Sequence, residues 1–283
     1  MSRNSLLTRF FLSLSSRLGV VLAGAVVVVS LVAPLVRPYN PSVDVHFAIR
    51  LRPPSAAHPF GTDSLGRDVL VRVLYGLRAS LSMGVVAVAI GLTLGALLGL
   101  SAGFFRAWVE TTVGWFSDTL LSFPTILLAI VIVSISGPGL VHAMIAVGIV
   151  QIPVYARLGR STVLSLRERE FVQAARSLGA RSGRVLFRHI LPSSLPPLIV
   201  QATLSIGIAT LEAAGLGFLG LGAQPPAPEL GAMISGAFKE GYALTAPWTM
   251  IFPGAFIVVV VLAANLIGDG LRDALDPRSL ARH

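Results

Sequence analysis

The sequence lacks cysteine and contains a single lysine, Lys239, among 283 residues. Without cysteine the chain has no disulfide framework, no thiol nucleophile and no cysteine-ligated metal site. A phosphate-binding loop needs the pattern Gly-x-x-x-x-Gly-Lys-[Ser/Thr], and Glu240 follows the one lysine, so the sequence contains no such loop. We therefore expect that this chain neither hydrolyses ATP nor holds a cofactor of its own.

Charged residues are also scarce. They make up 12% of the chain, whereas hydrophobic residues make up 54% and the mean hydropathy is +0.80. A soluble domain of this size needs more surface charge to remain dispersed, so the composition predicts a membrane protein with several spans. The net charge of +9 is compatible with a nucleic-acid partner. However, the arginines lie between apolar stretches, and membrane topology accounts for them better.

Motifs typical of intramembrane enzymes and carriers are missing. The sequence has no His-Glu-x-x-His motif and no pair of aspartates within an apolar span, which argues against an intramembrane protease. An ion-coupled carrier usually has several ionisable groups inside its spans together with internal repeats. Here Glu212 stands nearly alone and no repeat is evident, so a secondary transporter is the weaker alternative.

Six apolar stretches are present, each near the ~20 residues that a hydrocarbon core about 30 Å thick requires. The first follows a basic segment but is too long for a signal peptide and lacks a small-x-small cleavage site, which predicts an uncleaved helix. The predicted spans are Leu18–Val36, Ala79–Phe105, Phe116–Ser136, Gly139–Tyr155, Leu198–Gly220 and Trp248–Gly268.

The distribution of basic residues predicts the orientation. Of the 22 basic residues, 15 lie in segments that are cytoplasmic if the N-terminus is inside, Arg106 among them. Both termini are then cytoplasmic. The predicted division is a cytoplasmic N-terminus (1–17), a first helix (18–36), an external loop (37–78), a five-helix domain (79–268) and a cytoplasmic C-terminus (269–283).

The external loop and the second span carry two further patterns. Apolar residues from Leu65 to Leu77 lie opposite charged ones, which predicts a short helix flat at the membrane interface before residue 79. Small residues recur every four positions in the second span and predict close packing against another helix. His58, Asp63 and Asp68 match no metal site that their spacing supports. The small residues are Ala87, Gly91, Gly95, Gly99 and Gly103.

The cytoplasmic loop 157–197 is basic and has the period of a helix. Ser165 and Glu168 fit a capping box, and Gly179 can end a helix in the left-handed conformation. A second short helix begins near Ser182 and is expected to end at Pro192. The pattern fits a docking surface, although a solvated turn between spans would show it too. The predicted apolar face of the first helix comprises Phe171, Ala174, Ala175 and Leu178.

Glu212 lies inside the fifth predicted span, where a central charge costs at least ~2.5–3.5 kcal/mol on insertion scales. The side chain should therefore face the interior of the helix bundle or be protonated. Two interpretations remain open from the residues alone. Glu212 lines a translocation path or gate, or it makes a hydrogen bond that fixes the glycine-rich break after Gly215.

Several motifs resemble a known family. Gln173-Ala174-Ala175, then Gly179, then Leu191-Pro192 resembles the EAA loop of ABC importer permeases, with Gln173 where glutamate is usual and His189 where isoleucine is usual. Three longer stretches resemble the C-type subunit of dipeptide, oligopeptide and nickel importers. They are His58–Asp68, Glu212–Pro226 and Asn265–Pro277.

The resemblance implies an all-α membrane protein: six transmembrane helices with the type I ABC importer permease fold and cytoplasmic coupling helices. It implies a non-catalytic subunit in a bacterial inner membrane, surrounded by lipid. Its partners would be a B-type permease, two ATPase subunits that bind ATP and magnesium, and an external binding protein. The cargo would be di- or oligopeptides, with nickel or another small solute as the alternative. The implied ATPase-coupling residues are Glu170, Phe171, Gln173, Ala174, Ala175, Leu178, Gly179, Leu191 and Pro192.

Overall fold

A computed structural model describes residues 8, 10–36, 38–40, 43–105 and 107–275. This part of the chain is helical, apart from turns, loops and one isolated bridge between Thr62 and Asp68. Ten α-helices are numbered here in chain order. They are α1 Leu14–Val36, α2 Val69–Phe105, α3 Ala107–Leu121, α4 Thr125–Ser136, α5 Leu140–Arg167, α6 Glu170–Ser177, α7 Ser182–Val185, α8 Leu191–Phe218, α9 Leu230–Lys239 and α10 Trp248–Leu275.

Five helical segments of the described chain are long and apolar enough to cross a membrane: α1, α2, α5, α10 and the run Ser182–Phe218 that ends with α8. The pair α3 and α4 makes a sixth span if it is counted as one. The predicted all-α membrane architecture is therefore confirmed, with five spans in the described residues, or six with this pair. The predicted terminal segments, 1–17 and 269–283, lie partly outside the described residues, and Arg106 lies outside them.

The predicted interfacial helix before residue 79 is wrong. Residues 69–78 form the first part of α2, which continues without interruption to Phe105. Val69, Val73 and Leu77 have no exposed surface, because they pack with Leu230 and Ile257 in one apolar cluster. Their apolar stripe faces other helices of the protein, so it cannot rest on a lipid surface.

The third predicted span is broken. The axes of α3 and α4 differ by 92°, and the break lies between Leu121 and Thr125. Pro124 explains the break, because it has no backbone N–H to donate and it disfavours helical geometry at Phe123. The apolar stretch 116–136 is thus two helices that meet at a corner.

The glycine stripe of α2 packs against α5, as predicted. A Cβ atom built on Gly91 would lie 2.6 Å from Cβ of Gln151, and one on Gly103 would lie 2.7 Å from Cβ of Val163. Real Cβ atoms do not approach other atoms so closely. The absence of side chains on this face allows the two helix backbones to touch over four turns.

Aromatic and polar contacts hold the loop before α2 against the start of α10. Phe60 stacks on Phe252 with ring centroids 3.9 Å apart, and the Trp248 indole donates a hydrogen bond to the Thr62 carbonyl at 3.1 Å. His58 and Asp68 pair at 3.0 Å. Asp63 instead accepts from two arginines, Arg67 and Arg72. The three residues considered as metal ligands thus have other partners.

Glu229 fixes the start of α9 in this region. Its carboxylate accepts hydrogen bonds from the backbone N–H groups of Gly231 and Ala232 at 2.8 Å, and the Ser80 hydroxyl donates to it at 3.3 Å. A Cβ on Gly217 would lie 2.8 Å from Cδ of this residue. Glu229 therefore joins α9 to α2 and α8, a role that the sequence patterns did not reveal.

Candidate functional site: the coupling segment

The coupling segment comprises residues 168–192, between the end of α5 and the first turn of α8. Arg167, the last residue of α5, donates hydrogen bonds to the carbonyl oxygens of Gly103 and Phe104, at 3.0 and 2.9 Å. These carbonyls belong to the last turn of α2, where a helix has acceptors without intrahelical donors. The entry to the segment is therefore tied to the end of α2.

Helix α6 presents two different faces. Val172 is fully buried and packs in a cluster with Leu100, Val163 and Val185. The predicted apolar face points away from this cluster, and its residue Leu178 is 88% exposed. The side chain that anchors α6 is thus Val172, which the predicted set did not include. The outward residues of α6 and its end are Glu170, Phe171, Gln173, Ala174 and Leu178, with Ala175 half-buried.

Gly179 ends α6 as predicted. Its φ is +79°, its N–H donates to the Arg176 carbonyl at 2.9 Å, and the Ala180 N–H donates to the Ala175 carbonyl at 3.0 Å. This pattern is a Schellman motif. A Cβ built on Gly179 would meet nothing within 4 Å. Glycine is therefore favoured here by the left-handed backbone, and the surrounding space imposes no restriction.

The predicted capping box is wrong. Ser165 lies inside α5, and Glu168 follows the end of that helix, so neither side chain caps α6. The residue before α6 is Arg169, which makes no side-chain cap. The Gln173 amide donates to the Glu168 carbonyl at 3.3 Å, a bond that a carboxylate in its place could not donate.

The second short helix does not end at Pro192. Helix α7 passes into a π-helical turn, Leu186–Ile190, and then directly into α8. Pro192 lies in the first turn of α8, a position that tolerates its missing N–H. Within the turn Ile190 is buried and Phe187 is 68% exposed, so these two side chains lie on different faces.

The exposed parts of α6 and of the π turn lie side by side. The ring centroids of Phe171 and His189 are 6.4 Å apart. Leu191, two residues after His189, is half-buried. The coupling segment thus has a buried apolar side, which packs on the bundle, and an exposed side of apolar and basic side chains. Exposed apolar side chains held in this way are suited to contact a second protein.

Glu212 is not part of the coupling segment. It lies inside α8, half-buried, where the Gln151 amide nitrogen is 3.5 Å from its Oε2 and the Thr125 side chain lies close to the carboxylate. Gln151 and Thr125 belong to α5 and α4. The sequence patterns gave Thr125 no role, because the meeting of three helices at this point depends on tertiary packing.

One motif of hydrolases does occur within α2. Gly99-Leu100-Ser101-Ala102-Gly103 has the spacing of a Gly-x-Ser-x-Gly nucleophile elbow. The elbow requires a sharp turn between a strand and a helix, whereas these residues lie in the interior of a continuous helix. Gly99 and Gly103 pack against α5 instead.

A family model described as "binding-protein-dependent transport system inner membrane component" matches residues 91–280. The chain belongs to this family. It is 50% identical over 260 residues to the dipeptide transport system permease protein DppC of Alkalihalophilus pseudofirmus. The matched region covers 92% of this chain and 84% of that protein. It is 47% identical over 225 residues to the glutathione transport system permease protein GsiD of Pectobacterium atrosepticum, with 80% and 74% of the two chains covered.

The fold agrees with this membership. The MetNI methionine ABC transporter in an inward-facing conformation gives a TM-score of 0.62 at 21% identity, over 73% of this chain and 98% of that one. This likeness concerns the fold, and it confirms the predicted fold of an ABC importer permease. The chain is accordingly a permease subunit that crosses the membrane several times.

Proposed function

We propose that this permease carries di- and oligopeptides inward as part of an ATP-driven importer. Its identity of 50% to a dipeptide permease over most of both chains supports a peptide cargo. A di/tripeptide transport system permease protein of Pseudomonas aeruginosa, 47% identical over 259 residues, supports the same class of cargo. Glutathione, carried by other relatives, is itself a small peptide.

The coupling segment is proposed as the place where ATP-driven motion enters the chain. The observation that supports this is the exposed apolar surface of α6, held on a base that is itself buried. An apolar surface without a partner favours binding to another protein. Because Val172 packs against α2 and α5, a displacement of α6 would be transmitted to the two helices joined by the glycine stripe.

The proposed assembly contains a second, B-type permease, two ATPase subunits that bind ATP and magnesium, and an external binding protein. The excess of arginine near the coupling segment supports a cytoplasmic location for it and for both termini. In the proposed cycle, ATP binding closes the ATPase pair and turns the cavity outward. The binding protein then releases its peptide into the cavity, and hydrolysis restores the inward-facing state.

The test is purification of the tagged chain from native membranes, followed by reconstitution in vesicles. We expect a second permease and ATPase subunits to co-purify. We also expect a peptide-loaded binding protein to stimulate ATP hydrolysis and to drive uptake of labelled dialanine. A chain that purifies without ATPase subunits, or vesicles that hydrolyse ATP without taking up peptide, would contradict the proposed function.

A further inference from the structure

Glu212 lies at the edge of a face of α8 that the described part of the chain leaves partly uncovered. Ile208 and Leu211 are 50% and 56% exposed, and they flank Glu212 on one side of the helix. Gly215, one turn further on, leaves room for Ile126 of α4, whose Cδ1 would lie 3.0 Å from an added Cβ. The surface around the carboxylate is therefore apolar and open.

The carboxylate has neutral partners within the described chain. Gln151 donates a hydrogen bond to it, Thr125 lies beside it, and no described arginine, lysine or histidine forms an ion pair with it. A carboxyl group inside a membrane protein needs a proton or a cation to offset its lost hydration. The described chain thus offers this carboxyl group neutral contacts and no cationic side chain.

Three separate helices build this site. Thr125 is the first residue of α4, immediately after the break at Pro124, and is exposed. Gln151 comes from α5 and is 5% exposed, so its position is fixed by packing against α2. Gln151 and Thr125 each carry an oxygen acceptor besides the carboxylate of Glu212. The three side chains therefore lie together beside the break between α3 and α4.

We propose that Glu212, Gln151 and Thr125 form a subsite that binds the α-ammonium group of a peptide in transit. This inference rests on the proposed function, because it assigns the peptide one contact in the path. An ammonium group has three N–H donors and a positive charge, which match a carboxylate surrounded by further oxygen acceptors. The peptide's side chains would then lie against the open apolar surface. Such a surface would discriminate little between peptides with different side chains.

The test compares two ligands that differ in the ammonium group. The complex is embedded in nanodiscs without its binding protein, and equilibrium binding is measured for labelled dialanine and for isobutyryl-alanine, in which a methyl group replaces the ammonium group. We expect the unmodified complex to prefer dialanine. We expect Glu212→Gln to weaken dialanine binding about tenfold or more, as for loss of a charge-assisted hydrogen bond, and to leave isobutyryl-alanine binding unchanged.

A matched control removes a carboxylate elsewhere. Asp118→Asn breaks an exposed ion pair in which Oδ1 of Asp118 lies 2.8 Å from Nη2 of Arg157. This change should leave the binding of both ligands unchanged. Equal losses for both ligands in Glu212→Gln, no loss, or no preference in the unmodified complex would overturn the proposal. Loss of the second permease from Glu212→Gln preparations would also overturn it, because the carboxylate would then pair with that subunit. Dialanine uptake by the unmodified complex tests the proposed function separately.

Discussion

Gly99 of α2 and Ala156 of α5 lie so close that a Cβ on the glycine would stand 2.8 Å from the carbonyl carbon of the alanine. The contact belongs to the stripe that joins the two helices. It also connects the membrane core with the coupling segment, because Leu100 and Val163 next to it pack on Val172.

Replacing Gly99 with valine should destabilise the protein. Its side chain would force α2 and α5 apart, and overpacking of this kind costs about 1–3 kcal/mol. We expect a lower melting temperature of the purified complex. Gly24→Val is the matched control, because a Cβ at Gly24 meets nothing within 4 Å. Equal melting temperatures for the two variants would refute the role of close helix packing at Gly99.

Replacing Gly179 with alanine should reduce the peptide imported per ATP hydrolysed. The left-handed backbone costs a residue with a Cβ roughly 1–2 kcal/mol, which favours an altered end of α6. Gly179→Asp should uncouple hydrolysis from uptake while the protein remains in the membrane. Gly183→Ala is the control, since Gly183 has equal free space but lies in α7 without a positive φ. Normal uptake by both Gly179 variants would contradict the proposed coupling role.

Replacing Leu178 with serine should weaken binding of the ATPase subunits. Leu178 is 88% exposed in this chain, and burial of a leucine side chain in an interface contributes about 1.5–3 kcal/mol. We expect the dissociation constant for the ATPase to rise on the order of 10- to 100-fold, measured on the reconstituted permease pair. Leu244→Ser, at a residue 93% exposed outside the coupling segment, should have no effect. ATPase binding that is equal in both variants would exclude Leu178 from the interface.

Glu229 should make stability depend on pH. Burial raises the pKa of Glu229 above its ordinary value, although the hydrogen bonds from Gly231, Ala232 and Ser80 oppose the shift. A raised pKa means that the folded state binds more protons than the unfolded state. The associated stability is fully present below the ordinary pKa of about 4.3 and is lost as pH rises toward the raised value.

The measurement is the melting temperature of the purified protein between pH 4 and neutrality. Glu229→Gln should make it less dependent on pH, because the amide does not titrate in this range. The variant also loses one acceptor for the N-terminal N–H groups of α9, at a cost of ~1 kcal/mol. Glu240→Gln, at an exposed carboxyl group, is the control. An unchanged pH slope in Glu229→Gln would show that this carboxyl group is not responsible.

The sequence by itself determined the membrane class, the helical content, the glycine stripe and the glycine that ends α6. These features depend on composition and on residues close in sequence, because apolar length decides insertion and a missing Cβ decides the allowed backbone. The motifs around Gln173 and Gly179 also indicated the family. Local patterns could therefore locate the coupling segment before its structure was known.

Only the tertiary structure decided which faces are buried. Val172, rather than Phe171, anchors α6, and residues 69–78 continue α2, because helices from distant parts of the chain cover them. The meeting of Thr125, Gln151 and Glu212 likewise requires three helices and the corner at Pro124. A periodic pattern identifies an apolar face. Whether another helix covers this face or leaves it open to a partner depends on packing between segments far apart in sequence.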